Sequence, residues 1–162
     1  MAQAAPKAQL GFLGVVNIQG TGFVGGLLVT NQLGRPLEFQ CTTPVRPNRT
    51  QEILYGPTLT SFICSDLIGK TLFERLQVKP QMILCDQQEL LALRTVISLP
   101  VGLILGKKSG EDGNLKAGSH ALKLHEEYLS ELEEVTAIVK SIPADADLVE
   151  PIERVKEALQ ET

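Results

Sequence analysis

Residues 19–41 read QGTGFVGGLLVTNQLGRPLEFQC, and the fold of the chain depends on how they are interpreted. From Leu37 to Thr42 apolar and polar residues alternate, which is the period of a half-buried strand. The residues Asn31 to Gly34 favour a turn, and Pro36 suits the start of a strand. We therefore predict a hairpin whose two strands are 24–31 and 37–43.

The glycines of the same stretch permit a different structure, a helix that begins near Gly22. The spacing Gly20-x-Gly22-x-x-Gly25 after an apolar run is the phosphate-binding pattern of dinucleotide-binding folds. A helix there would contain Gly25 and Gly26, and each costs about 1 kcal/mol relative to Ala. We favour the hairpin and keep the helix as the alternative.

The run Gly20-Thr21-Gly22-Phe23-Val24-Gly25 resembles the opening of extended short-chain dehydrogenases. The resemblance implies an oxidoreductase that holds NAD(P) at a helix N-terminus through Gly20, Gly22 and Gly25. The Tyr-x-x-x-Lys pair of that family has no counterpart, since leucines stand four residues after both tyrosines. This NAD(P)-binding protein is one alternative, whereas our main interpretation requires no cofactor.

Composition describes an ordinary globular chain. Of its 162 residues 43% are hydrophobic and 21% charged, and no apolar run approaches the roughly 20 residues of a membrane span. The three cysteines are an odd number without a C-x-x-C pair, which predicts reduced thiols and a cytoplasmic protein. Through Lys108 there are ten basic and six acidic residues (+4), and from Ser109 five and thirteen (−8), so the C-terminal part is acidic.

The middle of the chain predicts alternating helices and strands. Asn48 or Thr50 can cap a short helix over 51–55, and a longer apolar-faced helix follows Pro57. Residues 82–85 form a buried strand, Asp86 caps a short helix with Glu89 three residues on, and 97–105 is a further strand. With an early strand at 11–18, the order is β-β-β-α-β-α-β, an α/β (α+β) fold with a mixed sheet.

We divide the chain accordingly. Residues 1–9 are predicted to be a disordered leader and 10–106 the mixed-sheet α/β domain. Residues 107–114 contain two glycines, directly after Gly106, and no apolar residue, which predicts a flexible linker. Residues 115–162 are predicted to form an acidic helical hairpin, broken at Pro143-Ala144-Asp145-Ala146-Asp147.

The element order is similar to that of the ribonuclease H-like fold, and the segment from Tyr55 to Phe62 resembles the Tyr-x-Pro-Gly segment of the endonuclease V family. That resemblance implies clustered carboxylates that hold Mg²⁺ for phosphodiester hydrolysis, with Asp86 as the acid at a strand end. Asn17 and Cys64 stand where the other acids are expected. A divergent metal-dependent nuclease is therefore the second alternative, and we predict no metal site and no catalytic residue.

Two further groups are candidates for binding. Arg46, Asn48 and Arg49 precede a predicted helix and could bind an anion. The C-terminal segment carries apolar residues spaced by three and four, a seam suited to a partner helix: Leu124, Tyr128, Leu132, Val135, Val139, Ile142, Ile152, Val155 and Leu159.

The main prediction is thus a non-catalytic cytoplasmic binding or assembly module. It would form a homo-oligomer or bind a protein partner through the C-terminal helices, because that pattern is complete whereas each catalytic set is not. Neither a membrane nor a nucleic-acid partner is indicated.

Overall fold

The computed structural model describes residues 9–105 and 113–161 and confirms the predicted α/β class. Its centre is a mixed sheet of seven strands in the order β3-β2-β1-β4-β5-β7-β6. The strands are β1 (Leu10–Ile18), β2 (Gly22–Thr30), β3 (Pro36–Cys41), β4 (Met82–Cys85), β5 (Val101–Leu105), β6 (Leu115–Ala117) and β7 (His120–Leu124).

Residues 19–41 form the predicted hairpin. β2 pairs antiparallel with β1 on one side and with β3 on the other. Asn31 shapes the turn, because its side-chain oxygen accepts from the backbone N–H groups of Leu33 (2.9 Å) and Arg35 (3.0 Å). The alternative helix from Gly22 is wrong, since residues 22–30 are a strand, and Leu27 and Val29 lie fully buried in the sheet.

The three glycines of the supposed phosphate pattern have structural causes. Gly20 and Gly22 adopt φ angles of 80° and 115° in the turn from β1 to β2, a region that disfavours other residues. Gly25 lies under a helix, and a Cβ atom there would stand 2.1 Å from Ile68 Cγ2. The pattern therefore serves a tight turn and close packing, and the helix N-terminus that NAD(P) binding requires does not follow it.

A helical stretch after β3 covers one face of the sheet. It begins with α1 (Arg49–Tyr55), where Asn48, one of the two predicted caps, forms a capping box with Gln51. Then follow a 3-10 turn (Gly56–Thr58), α2 (Leu59–Ser61), a π-helix (Phe62–Gly69) and α3 (Lys70–Arg75). Ile63, Ile68 and Leu72 pack into the core beneath β1 and β2.

The connection from β4 to β5 is a parallel crossover, as predicted. Its helical part is a 3-10 helix, Gln88–Thr95, and Leu90 and Leu93 bury it against the same core. The prediction that Asp86 caps this helix is wrong. Gln87, not Asp86, occupies the N-cap position, and its side chain forms no capping hydrogen bond. Asp86 Oδ2 instead accepts a hydrogen bond from Lys156 Nζ at 2.8 Å. β5 is also shorter than the predicted strand over 97–105.

The predicted helical structure of residues 115–124 is wrong. These residues form β6 and β7, joined by a turn at Gly118-Ser119, and β7 pairs antiparallel with β5. His120, Leu122 and Leu124 are buried while Ala121 and Lys123 are not, a period of two. This part of the C-terminal segment therefore belongs to the sheet.

The rest of the C-terminal segment is helical and covers the second face of the sheet. It comprises a 3-10 helix (Glu126–Glu131), α4 (Leu132–Val139) and α5 (Val149–Glu161), and the predicted break at 143–147 separates α4 from α5. Helices thus lie on both faces, as in layered α/β proteins. Among the described residues, no helix is long and apolar enough to cross a membrane.

Two predicted segments fall largely outside the described ranges. The leader, 1–9, is described only at Gln9, whose carbonyl accepts from Gln81 N at 2.8 Å. The linker, 107–114, is described only at Gly113 and Asn114, and Asn114 Oδ1 accepts from Leu124 N at 2.7 Å.

Candidate functional site

The predicted partner seam is mostly part of the protein core. Seven of its nine residues are less than a tenth exposed: Leu124, Val135, Val139, Ile142, Ile152, Val155 and Leu159. They pack on Phe12 and Leu84 in the centre of the sheet and on Val24 and Leu28 of β2. The seam therefore fastens the helices to their own sheet, and its buried side chains are not presented to a partner.

The two remaining seam residues are half-buried. Tyr128 lies in the 3-10 helix before α4, where its ring stacks against the guanidinium group of Arg94 at 4.0 Å. Arg94 also pairs with Glu131 at 2.8 Å, and this carboxylate raises the pKa of Arg94. Leu132 packs at the margin of the apolar core between the sheet and the C-terminal helices. Both residues thus serve internal contacts between the two halves of the chain.

The strongest candidate surface is β3, which lies at one end of the sheet. Its burial is the reverse of the usual pattern for a strand with one covered face. Leu37 and Phe39 are 42% and 37% exposed and the free thiol of Cys41 is exposed, whereas Glu38 and Gln40 are half-buried. We call the outward row of Leu37, Phe39 and Cys41 the edge row.

The polar face of β3 is occupied by intramolecular hydrogen bonds. The Glu38 carboxylate accepts from Val78 N at 2.7 Å, from Gln77 N at 3.0 Å and from Gln40 Nε2 at 2.8 Å. These bonds, with the Val78 amide first, lower the pKa of Glu38, so the carboxylate stays charged. The charge of β3 is therefore turned away from the edge row.

The backbone of β3 also presents groups that do not pair with β2. Thr42 N donates to Gly25 O at 2.9 Å, so the backbone groups of Thr42 face β2. In an antiparallel ladder only every second residue of a strand forms hydrogen bonds with the same neighbour. The N–H and C=O groups of Phe39 and Cys41 consequently point away from β2. Arg75 Nη1 reaches the Cys41 carbonyl at a long 3.4 Å, which confirms its direction. Within the described ranges, β2 is the sole strand that pairs with β3.

Other exposed apolar side chains are scattered. Ile53 and Leu54 on α1 are 64% and 77% exposed, and Leu33 in the β2–β3 turn is 77% exposed. None of these carries unused backbone pairing groups of a strand. They provide matched positions for control variants.

The predicted anion-binding residues are neighbours in the chain but are partly engaged. Arg46 Nε donates to Thr21 O at 2.8 Å, and Asn48 Oδ1 accepts from Gln51 N at 2.8 Å as the cap of α1. Arg49 is the exposed first residue of α1. Arg46 Nε and Asn48 Oδ1 thus serve the loop and the cap, and anion binding stays a prediction.

The residues matched to the nuclease resemblance have different environments. Asp86 follows β4 and pairs with Lys156, Asn17 is exposed on β1, and Cys64 is buried in the π-helix. The ammonium group of Lys156 stands beside the one carboxylate that the resemblance supplies. In the part of the chain that the structure describes, no three His, Cys, Asp or Glu side chains are grouped to hold a metal ion.

The buried cysteines are poor nucleophiles. Burial raises the pKa of the Cys64 thiol to about 11 and raises that of Cys85 as well. Cys85 Sγ lies 3.6 Å from the Gly102 carbonyl, and Cys64 packs in the core between the sheet and the helical stretch that follows β3. Both are structural, and Cys41 of the edge row is the exposed thiol.

Comparison with known protein families and with curated proteins found no match to this chain.

Sequence reasoning missed the edge row as a surface because alternation identifies the residues on one face without saying what covers that face. The amino-acid composition of β3 could have indicated that this strand lies at an edge of the sheet. β3 follows two more apolar strands, and it combines a proline, a glutamate and a glutamine with only two large apolar residues.

Proposed function

We propose that this protein is a non-catalytic assembly module whose β3 pairs with β3 of a second copy. The observation that carries the proposal is the reversed burial of β3, in which the apolar row is exposed and the polar row is engaged within the chain. An unpaired edge with apolar side chains is a ready template for strand addition. Association through the C-terminal seam is replaced in this proposal, because that seam lies in the core.

The geometry of β3 supports a symmetric, antiparallel pair. In a two-fold arrangement centred on Phe39, each Phe39 faces its counterpart and Leu37 faces Cys41. The outward backbone groups of Phe39 and Cys41 are then in the positions that a narrow, hydrogen-bonded pair requires. Glu38 introduces no like-charge contact in the row, since its carboxylate is held by the amides of Gln77 and Val78.

Other properties of the chain agree with this proposal. The three cysteines in the described part are free thiols, which supports a reducing, cytoplasmic environment. The meander β1-β2-β3 followed by the parallel strands β4 and β5 supports a ribonuclease H-like arrangement. The ion pair between Asp86 and Lys156 favours a binding role over nuclease chemistry, because an ammonium group occupies the neighbourhood of the strand-end acid.

The test is the molar mass of the full chain in solution, measured by size-exclusion chromatography with light scattering over a range of concentrations. We expect the wild type to dimerise and Phe39→Lys to be monomeric, because a lysine on the edge row places two like charges at the centre of the pair. The matched control is Leu54→Lys, which introduces the same lysine at a more exposed apolar residue of α1 and should dimerise like the wild type.

A monomeric wild type at about 100 μM would contradict the proposal, since a specific dimer with a micromolar Kd would be formed there. Equal dimerisation of the wild type and Phe39→Lys would place the interface elsewhere on the molecule. A circular dichroism spectrum and an unfolding curve for each variant confirm that the fold is retained.

A further inference from the structure

One outward backbone group of β3 is bonded to a side chain of the same molecule. Arg75, the last residue of α3, donates through Nη1 to the Cys41 carbonyl at 3.4 Å. This carbonyl points away from β2, because the neighbouring Thr42 is the residue whose backbone faces that strand. The guanidinium group therefore lies at the outer side of β3, at one end of the edge row.

The fold keeps Arg75 at this place. α3 ends there, since Leu76 has an extended backbone (φ −66°, ψ 133°) and its side chain is buried. Directly after it, the amides of Gln77 and Val78 donate to the Glu38 carboxylate at 3.0 Å and 2.7 Å. The segment that follows Arg75 is thus tied to β3 itself, which holds the guanidinium group within reach of the edge.

The proposed dimer needs the same carbonyl. In the two-fold pair centred on Phe39, Cys41 faces Leu37 of the second copy, and a narrow pair exchanges two N–H···O bonds. The Cys41 carbonyl then accepts from the Leu37 N–H of the second copy. Symmetry repeats this bond at the other end of the pair, so pairing of the two strands meets an Arg75 side chain twice.

The bond from Arg75 is weak enough for a strand to displace. Its length of 3.4 Å exceeds the usual range of roughly 2.7–3.2 Å. The Arg75 side chain is exposed, so water solvates the guanidinium group once it leaves the carbonyl. An exposed hydrogen bond of this kind contributes little net free energy. Arg75 therefore lowers the affinity of strand pairing without preventing it.

We propose that Arg75 makes an autoinhibitory contact with β3, which a second copy displaces when the two strands pair. The inference rests on the proposed function, since it concerns the same edge. Cations placed at a sheet edge commonly oppose the addition of a further strand. Here the opposition is competition for a hydrogen bond. Charge repulsion is screened, because the two Cys41 residues are four strand positions apart, about 14 Å, against a Debye length of about 8 Å at physiological salt.

The test is the dimer Kd of the full chain, measured by sedimentation equilibrium for the wild type and Arg75→Met. Methionine keeps an apolar stem and removes the donor. We expect the Kd to fall about fivefold, since two weak bonds no longer have to be broken. The control Lys70→Met removes a cation at the exposed first residue of the same helix and should leave the Kd unchanged. Circular dichroism and unfolding curves confirm that each variant keeps the fold.

The outcomes separate this inference from the proposed function. A monomeric wild type contradicts strand pairing and, with it, the inhibition. A wild-type dimer whose Kd is unchanged or raised in Arg75→Met overturns the autoinhibitory contact alone. A gain in Arg75→Met that disappears at about 0.5 M NaCl also overturns it, because charge repulsion would then be the cause. Adding Phe39→Lys to Arg75→Met should abolish dimerisation, and a dimer that persists would place the gain away from β3 and overturn the inference.

Discussion

Two apolar rows in this protein differ in burial, one being exposed and the other buried. The row on β3 is exposed at Leu37 and Phe39, although its alternation predicts a half-buried strand. The C-terminal seam is buried from Val135 to Leu159, although its spacing resembles a surface for a partner. The comparison shows that periodicity determines which residues share a face, and that the position of the strand or helix in the fold determines whether the face is covered.

The cause lies in where α5 crosses the sheet. α5 packs on β1 and β2, and Val155 lies within contact distance of the positions where Gly14 and Gly26 leave room for it. β3 lies one strand further out, where the Phe39 ring reaches over Gly26 beside Leu159 of α5 and 37% of Phe39 remains exposed. The central strands use small residues to admit a helix, whereas the outer strand meets solvent with large ones.

The largest expected loss of stability among the variants that test this comparison is at Ile152, in the buried row. This residue is fully buried against the centre of the sheet, so Ile152→Ala should lower the free energy of unfolding by about 2–5 kcal/mol, through lost apolar contact and the cavity left behind. Urea denaturation measures the change. The control Leu54→Ala, at a residue 77% exposed, should stay within about 0.5 kcal/mol. A cost below about 1 kcal/mol at Ile152 would mean that the seam is loosely packed.

Gly25 provides the second test, on the other face of the sheet. Gly25→Ala should cost about 1–3 kcal/mol, because the new Cβ would stand 2.1 Å from Ile68 Cγ2. If residues 22–30 were a helix, the same change would instead stabilise the protein by about 1 kcal/mol. The sign of the effect therefore separates the strand from the rejected helix.

A double-mutant cycle identifies the cause of that cost. In the background Ile68→Ala, which removes the overlapping methyl group, Gly25→Ala should cost at least about 1 kcal/mol less than in the wild type. Strict additivity of the two changes would exclude the contact between residues 25 and 68 as the reason for the glycine.

The sequence predicts the fold class and most of the element order. The β2–β3 hairpin is predictable because alternation and turn residues agree there, and Asn48 is one of the two residues predicted to cap α1. The strands β6 and β7 were missed because their period of two extends over only a few residues and adjoins a helical pattern. Asp86 was assigned as a cap from local spacing, whereas its partner Lys156 lies 70 positions away in the sequence.

The candidate surfaces were less predictable than the fold. The edge row depends on β3 being outermost, which follows from the sheet order and from the path of α5. The cleft between the β2–β3 turn and the connection from α4 to α5 combines Gln32 with residues near 145–154, and nothing local in either segment indicates the other. The seam residues were correctly grouped on common faces, but the length and direction of the helices relative to the sheet decided that they are internal.

The third test concerns the charge that fixes the polar face of β3. Hydrogen bonds from the Val78 amide first, then from Gln40 and Gln77, lower the pKa of Glu38 from its ordinary value near 4.5. The associated stability is therefore present above about pH 4.5 and is lost as the pH falls through the lower folded pKa. Because the carboxylate is largely solvated, the contribution should be below about 1 kcal/mol.

Unfolding curves at pH 7 and pH 3 for the wild type and Glu38→Gln test this linkage. The difference between the two proteins should shrink at the lower pH, since the wild-type carboxylate becomes protonated there. Glu52→Gln, at an exposed residue of α1, serves as the control for general charge effects. A difference that grows toward low pH would show that Glu38 is not stabilised in its charged form.

The smallest effect on a single chain is expected on the edge row itself. Leu37→Thr places a β-branched residue, which favours strands, at a position that is 42% exposed, so the unfolding free energy of the monomer should change by about 0.5 kcal/mol or less. The wild type should nevertheless melt at a temperature that rises with protein concentration, because self-association stabilises the folded state, and Leu37→Thr should lose that dependence. Ile53→Thr, at an exposed residue of α1, should retain it. If Leu37→Thr destabilised the dilute monomer as strongly as Ile152→Ala, β3 would be covered within one chain, and the contrast between the two apolar rows would disappear.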